Sequence, residues 1–339
     1  MSTIDSSDVY DITIVGAGPV GLYALYYTSM REMRAKIVDA LPQVGGQLAA
    51  LYPEKYIYDV PGFPQVLAKD LVRNLAEQAL QHNPTVCLNE KIVSLTKGDD
   101  EVFTLASESG SFHRSRTVLI AAGIGAFVPR KLDVPRIDEL EGRGVHYFVH
   151  DPAEFRNKTV LIVGGGDSAV DWALNLQTVC RQVTLIHRSD RFRAHERSVE
   201  ELKGSSAQLK LFHELKVIHG EERVEGVTIF DNRTGDEEEL RVDALLMNIG
   251  FVANLGPINS WGLEIVKNCV AVTPQMMTNI PGVFAAGDIV AHPGHLKLIA
   301  VGAAEAAIAV NNAKCYLDPA AGVEPGHSSQ RGGQEASRS

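Results

Sequence analysis

Residues 10–21, YDITIVGAGPVG, and residues 158–169, KTVLIVGGGDSA, repeat one pattern: a short apolar run, a glycine turn, then the start of a helix. That repetition constrains the fold of this 339-residue chain more than any other feature. In the first copy Gly16, Gly18 and Gly21 fall in the G-x-G-x-x-G spacing. Gly16 permits the sharp passage from strand to helix. Gly18 lets a pyrophosphate come against the backbone, and Gly21 lets the helix pack close to the strand. The helix expected from Pro19 to about Met30 would point free N–H groups and the positive end of its dipole at that phosphate. A second apolar strand over residues 35–38 ends at Asp39, roughly twenty residues on, where an acid receives a ribose hydroxyl.

The second copy reads Gly164-x-Gly166-x-x-Ala169. Asp167 and Ser168 open a helix expected to reach residue 179, and a strand is expected at 182–186. It differs where the cofactor is chosen. The first strand pair ends in Asp39; the second ends in His187-Arg188, followed by Arg191 and Arg193. Guanidinium groups in place of an acid exchange a 2′-hydroxyl acceptor for a 2′-phosphate clamp. The first site would then take a nucleotide with a free ribose, and the second would prefer NADPH to NADH. The bland alternative is a solvated charge run, since Asp190 and Glu196 lie in the same segment.

The remainder supports two α/β units. Residues 44–48, VGGQL, and the tyrosines at 52, 56 and 58 read as a loop with an aromatic cluster, each ring alone explicable as packing under the loop. A helix is expected at 68–82, where Leu71, Leu75, Ala79 and Leu80 form a stripe. β-like stretches follow at 85–95 and 102–106, and a strand at 117–121 runs into the close-approach turn of Ala122 and Gly123. Crossovers between units are expected at 128–130 and at Gly250. Between them lie a charged helix at 198–203, β-like stretches at 209–219 and 224–230, and a hairpin tip at Glu237-Glu238-Glu239. Residues 283–288, VFAAGD, place Asp288 at the carboxyl edge of a sheet, where it would receive a polyol hydroxyl. A small-residue helix is expected at 296–316. The tail, 318–339, is rich in Gly, Ser, Pro and Ala and reads as disordered.

Bulk properties narrow the function. A net charge of −10 argues against nucleic acid, which wants a basic footprint. Four cysteines, at 87, 180, 269 and 315, form no C-x-x-C pair, so free thiols in a reducing compartment are expected. The polar, acidic start is unlike a signal peptide, and the longest apolar stretch, 298–310, is too short to span a bilayer and holds Glu305. Cytoplasmic location is the expectation.

Taken together, GAGPVG, GGQL, the AAGIG turn at 121–125, GGGDSA, HRSDRFRA at 187–194 and AAGD at 285–288 resemble the two-dinucleotide-fold flavoprotein reductases, and most closely the low-molecular-weight thioredoxin reductases. One departure matters. The segment that carries their redox dithiol is here GRGVHYFVHDPAEF at 142–155, without cysteine. Cysteine-free chains of this shape look like the thioredoxin-reductase-type ferredoxin–NADP⁺ reductases, which GGQLAALYPEKYIYD, HRSDRFRAHERS and the GHSS of the tail also resemble. The resemblance implies a second Rossmann-like domain (127–254, NADPH-binding) inserted in a first (1–126 and 255–339, FAD-binding). It implies a homodimer with ferredoxin or flavodoxin as partner, and crossovers that act as hinges for domain rotation. Tyr52 would stack on one flavin face and His327 on the other from the partner's side. FAD would touch Gly16, Gly18, Pro19, Gly21, Asp39, Gln47, Ala122, Gly123, Phe127, Asp288 and Ser329. NADPH would touch Gly164, Gly166, Asp167, Ser168, His187, Arg188 and Arg193. Ser189 departs from the pattern, where a second arginine is common.

The mechanism so implied is hydride transfer from nicotinamide to flavin N5, then single electrons to a carrier, with no side-chain acid, base or nucleophile. Acidic ferredoxins would be repelled by the net charge, so docking needs a local basic patch; Arg31, Arg34 and Lys36 are the expected candidates. Two other readings stand beside this one: a flavin reductase with another acceptor (a quinone, a glutaredoxin-like protein, oxygen), and a nucleotide-binding sensor that transfers no electrons.

Overall fold

The structure, a computed structural model, describes residues 8–123 and 125–324. The chain divides into two compact units, one formed by the residues up to Ala126 and those from Ala253 onward, the other by Phe127–Val252.

In the first unit the strands Val9–Val15 (β1), Ala35–Val38 (β2), Thr85–Cys87 (β3), Ile92–Lys97 (β4), Phe103–Ser107 (β5) and Phe112–Ile120 (β6) form one sheet in the order β3-β2-β1-β6-β5-β4. β3, β2, β1 and β6 run parallel. β5 pairs antiparallel with the first half of β6, and Val283–Ala285 pairs parallel with its second half. A parallel sheet covered on both faces needs apolar residues on both, and successive residues of β1 serve opposite faces. Ile12 and Ile14 pack with Leu22, Leu25, Ile37 and Phe284 under the helices. Val15 packs with Val38, Ile120, Phe103 and Trp261 on the other side. Pro19–Met30 (α1), Gly46–Leu51 (α2), Ala68–Leu80 (α3) and the C-terminal helix Ile299–Leu317 complete the unit.

The second unit holds a five-stranded parallel sheet. Its strands are Val145–His146 (β7), Thr159–Gly164 (β8), Gln182–His187 (β9), Gln208–Leu211 (β10) and Ala244–Asn248, in which the last lies between β7 and β8. Asp167–Leu176 (α4) follows β8 and Glu196–Lys203 (α5) follows β9. The antiparallel strands His213–His219, Gly226–Asp231 and Glu237–Arg241 form a separate three-stranded sheet. Leu215, Ile218, Val227 and Ile229 from that sheet share a core with Leu161, Val163 and Leu245. The chain enters this unit along Ala126–Pro129 and leaves it along Phe251–Asn254, and those two segments pair with each other.

Four expectations are corrected. The β-like run 209–219 is two strands in two sheets, broken at Phe212, whose φ of +60° ends the strand. The run 85–95 breaks likewise at Asn89, φ +58°. Glu237-Glu238-Glu239 is no hairpin tip: these residues lie on an exposed strand, where Glu238 pairs with Lys210 at 2.7 Å and Glu237 with Lys216. The turn is instead at 232–236, with Gly235 at φ +81°. The composition of the tail predicts disorder from residue 318, yet residues 318–324 are held: Arg31 donates to the carbonyls of Gly322 and Val323, and Asp318 accepts from Ala320 and Ala321.

The expected basic patch does not form. Arg31 is buried and also donates to Asn311 Oδ1 at 2.7 Å. Lys36 is 1% exposed, with its ammonium 4.1 Å from the centre of the Tyr10 ring. It sits on β2, an inner strand covered on both faces, and burial pushes its pKa down. Arg34 alone is exposed, and it pairs with Asp8.

Candidate functional site

Each unit places a glycine turn at the carboxyl edge of its parallel sheet, where ligands bind in open α/β folds. In the first, Gly16 has φ +109°, and a Cβ there would lie 2.4 Å from the Ala121 carbonyl oxygen at the end of β6. A Cβ on Gly21 would lie 1.9 Å from the Gly16 carbonyl oxygen, so α1 seats directly on the turn. Gly18 is different: its Cβ would meet nothing nearer than Gly46 Cα at 4.0 Å. Gly18 caps α1 with no side-chain hydrogen bond, and Pro19 takes the first helical position. The helix therefore presents uncapped N–H groups beside an open backbone face, which fits a pyrophosphate.

Asp39 ends β2 as the pattern requires. Its carboxylate accepts from Ala17 N at 2.5 Å and Leu41 N at 2.8 Å. Burial raises its pKa and those two N–H groups oppose the rise. The VGGQL loop closes over the same turn: Gly45 N donates to the Ala17 carbonyl at 2.8 Å. Gln47 Nε2 lies 3.0 Å from where a Cβ of Gly123 would be.

Asp288 ends the VFAAGD segment half-buried, with its pKa raised by burial and held back by Lys297 and His295. Tyr52 is close enough to feel its charge. Burial first, then the carboxylates of Asp288 and Asp59, push the Tyr52 phenol up to about 12. The structure thus brings together Gly16, Gly18, Pro19, Gly21 and Asp39 at one turn, and Tyr52 with Asp288. Gln47, in the first turn of α2, stands beside the loop positions Ala122 and Gly123. Phe127 lies on the crossover segment; its side chain, like His327 and Ser329, falls outside the described residues. The side-chain-lined cavity of about 430 Å³ around Tyr10, Thr28, Arg34 and Thr85 lies at the opposite, amino edge of the sheet and is not part of this site.

In the second unit Gly166 caps α4 with no side-chain hydrogen bond, and a Cβ there would meet nothing within 4 Å. Ser168 is exposed. Asp167 accepts from His195 N at 3.0 Å, and Arg193 N donates to the Gly165 carbonyl at 2.8 Å, so the arginine segment folds back on the glycine turn. His187 is turned inward. Its ring lies where a Cβ of Gly165 would be, and its Nε2 is 3.0 Å from the Arg191 carbonyl. That explains the middle glycine of GGG and makes His187 a support for the arginine loop. Arg188, Arg191 and Arg193 are exposed, and their guanidinium groups have no acid partner among the described residues.

Sequence reasoning missed Asn248. It ends the inner strand Ala244–Asn248 beside Gly164, and its side-chain oxygen is buried without a hydrogen-bond donor among the described residues. A polar residue closing the apolar run ALLMN was the available signal. The 142–155 segment holds no thiol, and all four cysteines are free.

The family profile for pyridine nucleotide-disulphide oxidoreductases matches residues 10–310. The chain belongs to that family. Relatives named ferredoxin–NADP reductase include one from Chloroherpeton thalassium, 53% identical over 96% of both chains. Another, from Geobacillus kaustophilus, is 50% identical over 97% of this chain and 99% of its own. A third, from Thermus thermophilus, is 51% identical over 96% and 98%. Among solved structures, Lactococcus lactis thioredoxin reductase superposes with a TM-score of 0.80 at 26% identity, covering 91% of this chain and 99% of that one. Thus the reductase relatives share about half their residues with a chain whose fold is that of thioredoxin reductase.

Proposed function

We propose that this chain is a flavoprotein ferredoxin–NADP⁺ reductase, using FAD and NADPH. The observation that carries the reading is the pairing of two open glycine turns, one finished by an acid and one by unpaired arginines, in a chain with no dithiol. When bound, FAD supplies the conversion between a two-electron nicotinamide and a one-electron carrier. The chain's own residues bind and orient. Gly18 and the start of α1 cradle the FAD pyrophosphate, with Gly16, Pro19 and Gly21 fixing that turn. Asp39 presents an oxygen to the adenosine ribose and is held in place by Ala17 N and Leu41 N. Asp288 receives a ribityl hydroxyl, and Gln47, Ala122, Gly123 and Phe127 line the path to the ring. Tyr52, kept neutral by its surroundings, covers one ring face; His327, with Ser329, covers the other.

In the second unit Gly164 and Gly166 admit the NADPH pyrophosphate, with Asp167 and Ser168 at the helix start. Arg188 and Arg193 hold the 2′-phosphate, and His187 supports them. Following the resemblance, residues up to 126 and from 255 form the FAD domain of a cytoplasmic homodimer. Four free cysteines suit a reducing compartment, and no helix among the described residues is long and apolar enough to cross a membrane.

The test is coupled electron transfer. Under argon, NADPH should bleach the yellow protein, and cytochrome c reduction should depend on added ferredoxin or flavodoxin. Equal rates with and without the carrier would point to another acceptor and overturn the reading.

A further inference from the structure

Three side chains from a loop and the helix that follows it meet beside the VFAAGD segment. His292 and His295 stand on the loop after Val290–Ala291, and Glu305 stands on the C-terminal helix. Glu305 Oε1 lies 2.8 Å from His292 Nε2 and 2.9 Å from His295 Nδ1. One ligand atom from each of the three residues lies within 4.8 Å of the others. The site is enclosed: the side chains are 18%, 9% and 4% exposed in that order.

Two of the three groups are oriented from outside the cluster, and the outer nitrogen of the third, His295 Nε2, is buried with no hydrogen-bond partner among the described residues. Glu305 Oε2 accepts from Gly287 N at 2.8 Å, which leaves Oε1 aimed at the histidines. His292 Nδ1 lies 3.0 Å from the Pro293 carbonyl oxygen. A carbonyl only accepts, so Nδ1 carries the hydrogen. A neutral His292 then turns its Nε2 lone pair on a carboxylate oxygen at 2.8 Å. Two lone pairs at that distance repel unless a proton or a metal ion stands between them. A ring whose far nitrogen is anchored on a backbone carbonyl, with the near one aimed at a shared point, is how metal-binding histidines are held.

We propose that His292 Nε2, His295 Nδ1 and Glu305 Oε1 bind one divalent transition-metal ion of the Zn²⁺ class. Two imidazoles and one carboxylate suit Zn²⁺, whereas Mg²⁺ and Ca²⁺ take all-oxygen sets. Tetrahedral bonds of about 2.0–2.2 Å place ligand atoms roughly 3.3 Å apart, so the two Glu305–histidine distances need to open by only a few tenths of an ångström, and the histidine nitrogens already lie within 4.8 Å of each other. The fourth position falls to water, His292 being the most exposed of the three. A bound ion ties the 288–298 loop to the C-terminal helix. Because the folded chain alone assembles the three ligands, binding also stabilises it.

The experiment uses the metal-stripped, flavin-loaded full chain, with Zn²⁺ titrated against a chromophoric chelator. Wild type should take one tight equivalent. His292→Phe and His295→Gln should each weaken that equivalent by about 100-fold or more, with flavin content unchanged. Zn²⁺ should raise the unfolding temperature of wild type and leave that of both variants where it was. Equal Zn²⁺ affinity in wild type and both variants, or no tight equivalent in wild type, overturns the proposal.

Discussion

At the first glycine turn the group that finishes the strand pair is tied down. Asp39 accepts two backbone N–H bonds and is half-buried, with its ionisation disfavoured. At the second turn the finishing groups are loose. Arg188, Arg191 and Arg193 reach into solvent, while backbone bonds and the side chains of His187, Ser189 and Asn232 hold their loop in place. The same strand–turn–helix frame thus carries a carboxylate held by the backbone in one copy and solvent-exposed arginines in the other. An acceptor for a neutral hydroxyl gains by being fixed, because a single hydrogen bond is worth only about 1 kcal/mol net and is easily lost to entropy. A clamp for a doubly charged phosphate tolerates mobility, because several charge-assisted bonds form at once.

Glycine substitutions give the largest expected contrast. Gly21→Ala sets a methyl 1.9 Å from a backbone oxygen, which no side-chain rotation relieves. It should cost about 3 kcal/mol, lower the unfolding temperature by roughly 6–12 °C and strip the flavin. Gly166→Ala adds a methyl to open space. Its stability should stay within about 0.5 kcal/mol of wild type, while the KM for NADPH rises roughly tenfold. Thermal melts and the flavin-to-protein absorbance ratio read the first; steady-state kinetics read the second. If Gly166→Ala also melts early, the second turn is packed rather than open.

What the sequence made legible was local. Within each copy the turn, its strands and helix, and the Asp39 or arginines that finish it lie within thirty or so residues, in a spacing that only one geometry satisfies. What it hid was long-range. Lys36 and Arg31 look like surface charges near a helix end. Only the sheet order shows that β2 is covered on both faces, and only the fold brings Asn311 and the chain at 322–323 onto Arg31. The cluster of His292, His295 and Glu305 is local, yet it escaped because a loop and a helix turn supply it with no motif spacing. Phe212 and Asn89 broke strands that composition alone joined, because a positive φ at a residue other than glycine leaves little trace in sequence.

A smaller effect tests the loose clamp. Arg188→Ala and Arg193→Ala should each lower kcat/KM for NADPH roughly 10- to 100-fold, the worth of a charge-assisted hydrogen bond to phosphate. The same variants should leave NADH turnover almost unchanged, since NADH lacks the 2′-phosphate. Raising salt should weaken NADPH binding in wild type more than in either variant, because exposed charges are screened. Parallel losses for both nucleotides would mean that the arginines hold the loop and not the phosphate.

The smallest effect belongs to Tyr52, on the preorganised side. Its phenol is pushed up to about 12 by burial and by the carboxylates of Asp288 and Asp59. A group whose folded pKa is raised contributes stability that is intact below its unfolded value, near 10, and is lost as pH climbs toward 12. Wild type should therefore lose stability between pH 10 and 12 more steeply than Tyr52→Phe, which has no phenol to ionise. The ultraviolet titration of wild type should also contain one tyrosinate with a midpoint near 12 that is missing from the variant. Asp288→Asn removes one of the two charges, so that midpoint should move down, and an unmoved midpoint would separate Tyr52 from Asp288 and take the ring-covering residue out of the site.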